Sequence, residues 1–441
     1  MAITAGPTAY APGRATTDSR AMSVATALFF MWGFLTALND ILIPHLKSIF
    51  SLSNAQAALI QTAFFGAYFI FAIPAGKLVE YRGYKQTMII GLLVAAVGAL
   101  LFIPAARTVS YPLFLAALIV LAAGITGLQV SANPYVASIG PVGTASSRLN
   151  LSQAFNSLGT TIAPPLGGLL ILGAAAELTS AQFSALSPSA RAAYQAQQAS
   201  TVTTPYLVIT GVLVLLALAL AVIKLERPQN LTVDYRPIAG YGGSIWQEKW
   251  LLLGAFGIFL YVGAEVSIGS FLINYFGRPE IGGLSAQTAA KYVAYYWGGA
   301  MVGRFIGSAI LTRVRTGTLL GLFATVALLL VLTSMFSTGS VAMVSILAVG
   351  LFNSIMFPSI FTLGLAGLGD LTSKGSSLMV QAIVGGAILP WIYGKLADRI
   401  GYQHAFFIPA LCYVFIALFG FAAARRVLLT DPRAGAPVES F

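Results

Sequence analysis

The sequence predicts an all-α polytopic membrane protein with twelve transmembrane helices in two six-helix bundles, and three observations lead there. Of its 441 residues, 58% are hydrophobic and only 8% are charged, whereas a soluble domain carries about 25% charged residues to keep its surface wet. Twelve apolar runs follow one another along the chain, each near the ~20 residues that cross a ~30 Å hydrocarbon core. A linker with Pro228, Pro237 and several Gly separates six runs from six, as an internal duplication would.

A polar N-tail, 1–23, precedes the first run at 24–43, which ends near Asn39 and Asp40. The next five runs lie at 57–79, 87–105, 111–139, 149–172 and 205–225, and complete a first bundle over 24–225. The linker occupies 226–249, and the second bundle, 250–424, holds runs at 250–277, 287–311, 317–336, 340–366, 375–397 and 403–424 before a C-tail at 425–441. Near the ends of these runs, 17 of the 24 Lys and Arg fall on the side of the tails and linker and 7 on the other. The positive-inside rule therefore places both termini in the cytoplasm. The Ala-, Ser- and Gln-rich loop at 173–204 is expected outside, with no functional content. Gly159, Pro164, Pro165, Gly167 and Gly168 in run five, Gly298, Gly299, Gly303 and Gly307 in run eight, and Gly385, Gly386 and Pro390 in run eleven permit close approach or bending.

Several classes of function are excluded on composition. The net charge of +11 is spread singly between apolar runs rather than gathered in a patch, so it speaks for topology and against nucleic acid. The one cysteine, Cys412, rules out an internal disulfide or a cysteine-rich metal site. No short apolar segment with a cleavage site opens the chain, and none is expected to be removed. There is no Walker-type phosphate loop and no HExxH; His45 and His404 fall near run ends, where solvation is expected. No cofactor or metal is called for, no enzyme activity is indicated, and energy for work must come from an ion gradient or from the solute's own.

Of the thirteen acidic residues, Asp40 and Glu265 lie well inside apolar runs, at nearly equal depth in runs one and seven. Those runs are equivalent under a six-plus-six duplication. An ionisable group at such depth costs about 2.5–3.5 kcal/mol on insertion scales and marks an ion or substrate path. Desolvation disfavours the charged form of a carboxyl, so a group whose water access changes can take up and release a proton. Both are candidate proton-coupling residues; the alternative is a structural carboxylate bonded to a neighbouring helix or paired with Arg304.

Uncharged amides form a second group. Gln129 and Asn133 are four apart in run four, Gln153, Asn156 and Thr160 share one stripe of run five, and Asn353 and Gln381 come from runs ten and eleven. Amides offer both donors and acceptors, which suits a ligand made of hydroxyls, or else they bond helix to helix. Asn39, Gln129, Asn133, Gln153, Asn156, Asn353, Gln381 and Glu265 are the candidate substrate lining. Trp297, with Phe64, Tyr68, Phe155, Tyr295 and Tyr296, either stacks on a sugar's apolar face or fills a helix interface. After run two comes GKLVEYRGYK at 76–85, in which Gly76, Glu80 and Arg82 could latch one end of the molecule. GRFIGS at 303–308 places Arg304 at the equivalent point of the second half.

Together the strings MWGFLTALNDILIPHLK, LQVSANPYV, RLNLSQAFNSLG, YVGAEVSIGSFL, WGGAMVGRFIGS and GLFNSIMFPSIF resemble the fucose/glucose/galactose:proton symporter branch of the major facilitator superfamily. The resemblance implies the major facilitator fold, alternating access, and proton-coupled uptake of a monosaccharide through a bacterial inner membrane by a chain that works as a monomer. It gives Asp40 the role of the protonatable aspartate and places Asn133, Gln153 and Asn156 on the central cavity. Fucose permeases carry Glu where this chain has Gln129, and Gln where it has Glu265. The acid has therefore moved, as in glucose/galactose members, which favours a hexose with a 6-hydroxyl; mannose and N-acetylglucosamine stay open. An uncoupled facilitator, a proton-driven exporter of apolar molecules, a sensor built on the same fold, and sodium in place of the proton are the competing readings.

Overall fold

A computed structural model describes residues 17–50, 52, 54–167, 180–225 and 244–426. The start of the N-tail, Gly168 and the end of run five, most of the linker and the C-tail from 427 lie outside the described residues. The first half contains α1 (Ser19–Phe50), α2 (Asn54–Arg107), α3 (Tyr111–Ser138), α4 (Ala145–Gly167), the short α5 (Ser180–Ala185), α6 (Pro188–Ser200) and α7 (Thr203–Val222). The second contains α8 (Lys249–Phe276), α9 (Ala286–Ile310), α10 (Thr316–Phe336), α11 (Gly339–Asn353), α12 (Met356–Leu365), α13 (Thr372–Gln381), α14 (Gly385–Ile400), α15 (Tyr402–Ala405) and α16 (Phe407–Arg425).

Nine stretches among the described residues are long and apolar enough to cross a membrane. One of them joins runs two and three, because α2 is interrupted at Gly83, whose φ of 80° is open to glycine at no steric cost. The more polar α4 and α9 supply runs five and eight, which completes the twelve. Asp18 caps α1 by accepting from the backbone N–H of Arg20 and Ala21 at 3.0 and 3.1 Å, satisfying donors that a helix start leaves free.

Two runs of the second half depart from regular α-helix. Run ten stops at Asn353 and resumes at Met356 as α12, where Pro358 removes the N–H that would bond the Ser354 carbonyl. Run eleven tightens into a 3-10 turn over Ala382–Val384 after Gln381 and continues from Gly385 as α14. Broken helices at membrane depth are tolerated where protein or a cavity, rather than lipid, surrounds them. Of the candidate amides, Asn353 therefore sits at a helix break and Gln381 where a helix tightens.

The halves meet chiefly through α4 against α9 and α2 against α13. Small residues permit this approach: a Cβ on Gly76 of α2 would collide with the Ser377 side chain of α13. The bonds between halves concentrate where α4 and α13 begin and α9 ends, the end that also carries the linker. We call this the linker end.

At the opposite end the 173–204 loop does more than connect. Its described part folds as α5 and α6, and α6 covers the end of α1, with Gln195 Nε2 donating to Ile49 O at 2.6 Å. His45 is buried beneath it, 1% exposed, with Nε2 at 3.1 Å from both Gln198 O and Thr201 Oγ1. The solvated His45 expected from the sequence is thus corrected, because a loop helix takes the place of water; His404 is exposed as expected.

Candidate functional site

Glu265 sits midway along α8 and is 8% exposed. One helical turn earlier, Tyr261 donates its hydroxyl to Glu265 Oε1 at 2.8 Å, a contact that i,i+4 spacing places on one face. Arg304 of α9 brings Nη2 to 3.8 Å from the same oxygen. Behind them runs a buried chain: Tyr296 donates to the Glu265 carbonyl at 3.3 Å and accepts from Asn353 Nδ2 at 2.8 Å, while Tyr413 donates to Asn353 Oδ1 at 2.8 Å. Asn353 is fully buried, so in this conformation it ties α9, α11 and α16 together rather than facing a cavity.

Arg304 reaches beyond its own half. Its Nη1 donates to Ser157 Oγ on α4, its Nε donates to Ser354 O at 3.4 Å, and its carbonyl accepts from Asn150 Nδ2 at 2.7 Å. It stands at the seam, as GRFIGS suggested, but its guanidinium points to the interior carboxylate and to α4 rather than to a surface latch.

In the first half, Gln129 on α3 donates to Tyr68 OH at 3.0 Å and is 8% exposed. Asn133, one turn on, is fully buried with neither amide atom partnered. Gln153 on α4 is also buried. Asn156 donates to Phe29 O at 3.0 Å where α1 crosses α4, and a Cβ on Gly33 would run into its backbone carbonyl. That makes Asn156 part of a tight helix crossing. Asn39 and Asp40 lie on the helical backbone of α1, but their side chains lie outside the described residues.

Trp297 is 39% exposed, packs its ring over Gly269 and meets Tyr296 edge-on at 5.1 Å between centroids. Gln381 crosses between halves, Nε2 donating to Phe69 O on α2 at 2.9 Å. Glu80 accepts from Ser373 Oγ at 3.1 Å and lies 3.9 Å from Lys374 Nζ, so α2 and α13 are joined there, while Arg82 stays exposed. Hydroxyls complete the seam. Ser147 Oγ donates to Ser308 O at 2.7 Å and Ser308 Oγ returns to Ser147 O at 3.1 Å; Ser146 meets Thr362 at 2.6 Å and Thr316 at 3.0 Å.

The structure thus brings Glu265, Arg304, Tyr296, Trp297 and Asn353 into one region of the second half and Gln129 and Asn133 onto one stretch of α3. Tyr261 and Tyr413 escaped the sequence reading. The first had a signal in its i−4 spacing from Glu265; the second lies 60 residues from its partner and had none.

Two helical bundles bonded to each other at one end, with a buried carboxylate whose arginine reaches across to the other bundle, are the arrangement of a polytopic membrane transporter. Comparison with known proteins gives the family. A model described as Major Facilitator Superfamily matches residues 24–383, and the chain belongs to that superfamily. It is 52% identical to a glucose/galactose transporter of Brucella abortus biovar 1 (strain 9-941) over 406 residues, covering 92% of this chain and 94% of that one. It is 37% identical to an L-fucose-proton symporter of Escherichia coli (strain K12), covering 89% and 90%. The crystal structure of the transporter FucP in the outward conformation matches with a TM-score of 0.83 at 36% identity, covering 91% of this chain and 98% of that one.

Proposed function

We propose that this protein imports a hexose, glucose or galactose first, by proton symport with alternating access. The observation that carries the reading is Glu265, a buried carboxylate in the middle of a membrane helix, bonded to Tyr261 and facing Arg304 at the meeting of the two bundles. The names of the relatives and the likeness to a structure in the outward conformation support it, as do the bonds between the halves at the linker end. Asp40 is the proposed proton carrier and Glu265 a sugar-hydroxyl acceptor that also titrates. Asn39, Gln129, Asn133, Gln153, Asn156, Trp297, Asn353 and Gln381 are proposed to meet sugar at some stage of the cycle, and Gly76, Glu80, Arg82 and Arg304 to gate it. We place the bundles at 24–225 and 250–424, with the tails and the linker at 226–249 in the cytoplasm of a bacterium, in the inner membrane, as a monomer.

One charge moving through about 100 mV releases about 2.3 kcal/mol, enough for about fifty-fold accumulation. The test is uptake of labelled glucose, galactose, mannose, fucose and N-acetylglucosamine into proteoliposomes under a pH gradient, a sodium gradient and neither. Accumulation of a hexose under the pH gradient alone supports symport and names the sugar. Equal equilibration in all three conditions makes the protein a facilitator, and Asp40→Asn would then leave uptake intact.

A further inference from the structure

Pro134 lies inside α3 and has no N–H, so the carbonyl of Val130, four residues earlier, has no helical donor. The other half supplies one. Ser376 of α13 donates its hydroxyl to Val130 O at 2.8 Å, and Ser376 is fully buried. The same device occurs within the second half, where Arg304 Nε meets the Ser354 carbonyl that Pro358 leaves open. The difference is that the Val130 carbonyl is met from across the seam.

That difference makes the bond conditional. Donor and acceptor belong to separate bundles, so the bond exists while the linker end is closed and is lost when the bundles part, when water can take its place. Closed without the hydroxyl, the carbonyl would be a buried acceptor lacking both its helical and its seam donor, the costly case for a backbone polar group in a membrane. Val130 is also placed to matter for the site, between Gln129 and Asn133 on one stretch of α3.

We infer that Ser376 is a positioning residue for transport: its hydroxyl occupies the carbonyl that Pro134 leaves open and thereby sets the population of the linker-closed conformation. The inference rests on the alternating-access reading above. It makes the effect of Ser376 depend on Pro134, since Ala at 134 restores the helical N–H and removes the need for a donor from the other half. A hydroxyl serving packing alone would show no such dependence.

The experiment attaches nitroxide spin labels at Y81C and R313C in a Cys412→Ser background; both labelled positions are exposed near the linker end, one in each half. Pulsed distance measurement on the full chain in lipid reads the ratio of short to long separations. Ser376→Ala is expected to move the ratio about tenfold towards the long distance, the equilibrium counterpart of about one hydrogen bond. Ser376→Thr, which keeps the donor, holds the parent ratio, and Ser376→Ala added to Pro134→Ala produces little further shift. Ser376→Gly also removes the hydroxyl, so either variant that reaches the membrane suffices. Two distances whose ratio ignores Ser376, or follows it equally with and without Pro134, overturn the latch alone. A single distance in every variant overturns alternating access and the latch with it.

Discussion

Glu265 Oε1 and Arg304 Nη2 stand 3.8 Å apart between α8 and α9, their side chains 11% and 12% exposed. This exceeds the ~2.7–2.9 Å of a charge-assisted hydrogen bond. The guanidinium is shared among the carboxylate, Ser157 of the other half and the Ser354 carbonyl.

Removing one member of this pair leaves the other as a buried charge without its partner, a change that costs about 3–5 kcal/mol. Glu265→Gln and Arg304→Gln are each expected to lower the unfolding temperature of the detergent-solubilised protein. The double variant should lose clearly less than the two single losses combined. Strict additivity would show that the residues do not interact.

The Gly76 site tests closure sterically. A side chain there would collide with Ser377, so Gly76→Val is expected to hold the linker end apart and cut sugar uptake to about a tenth or less, as overpacking of a tight contact does. Gly66→Ala serves as the comparison, because a methyl group there meets nothing within 4 Å and uptake should persist.

Moving the acid tests the sugar. The exchange Gln129→Glu with Glu265→Gln creates the arrangement that the sequence resemblance implies for fucose permeases, and should raise the fucose-to-galactose preference about tenfold, roughly one hydrogen bond's worth of discrimination. Competition of each unlabelled sugar against labelled galactose measures it. An unchanged preference would remove these two positions from sugar selection.

Asn353 joins two tyrosines, so Asn353→Leu leaves the hydroxyl of Tyr413 without its acceptor and that of Tyr296 without its donor. Unmet buried polar groups cost about 1–3 kcal/mol each. The expected outcome is a loss of about 2 kcal/mol or more in thermal or denaturant unfolding; no loss would mean the chain of bonds relaxes freely.

His45 holds α6 in place. His45→Ala is expected to loosen that helix and to increase tryptic cleavage at Arg191 by several-fold, while leaving cleavage sites at the linker end unchanged.

The fold was legible because hydropathy and the six-plus-six spacing report directly on solvent and duplication; the twelve helical runs follow the apolar ones. The burial of Glu265 was legible for the same reason, as a carboxylate inside an apolar run. What escaped is partnership. Periodicity puts Gln153 and Asn156 on one stripe of α4, yet Asn156 meets a carbonyl of α1 because Gly33 lets the two helices touch there. Asn353 looked like an amide open to ligand, and only the fold brings Tyr413 to it. His45 looked solvated because the loop that covers it carries no apolar signal strong enough to read.

The seam also has a character of its own. Many of its bonds are hydroxyl to hydroxyl or hydroxyl to carbonyl, as between Ser147 and Ser308 or Ser146 and Thr362. Dipoles at contact distance feel little of the ionic atmosphere, which at physiological strength acts over about 8 Å and weakens exposed charges first. The hydroxyl contacts therefore hold with nearly the same strength in dilute and concentrated electrolyte, and the exposed Glu80–Lys374 pair is the part of the seam that salt weakens. A change in ionic strength therefore reaches this end chiefly through that one pair and leaves the hydroxyl contacts as they were.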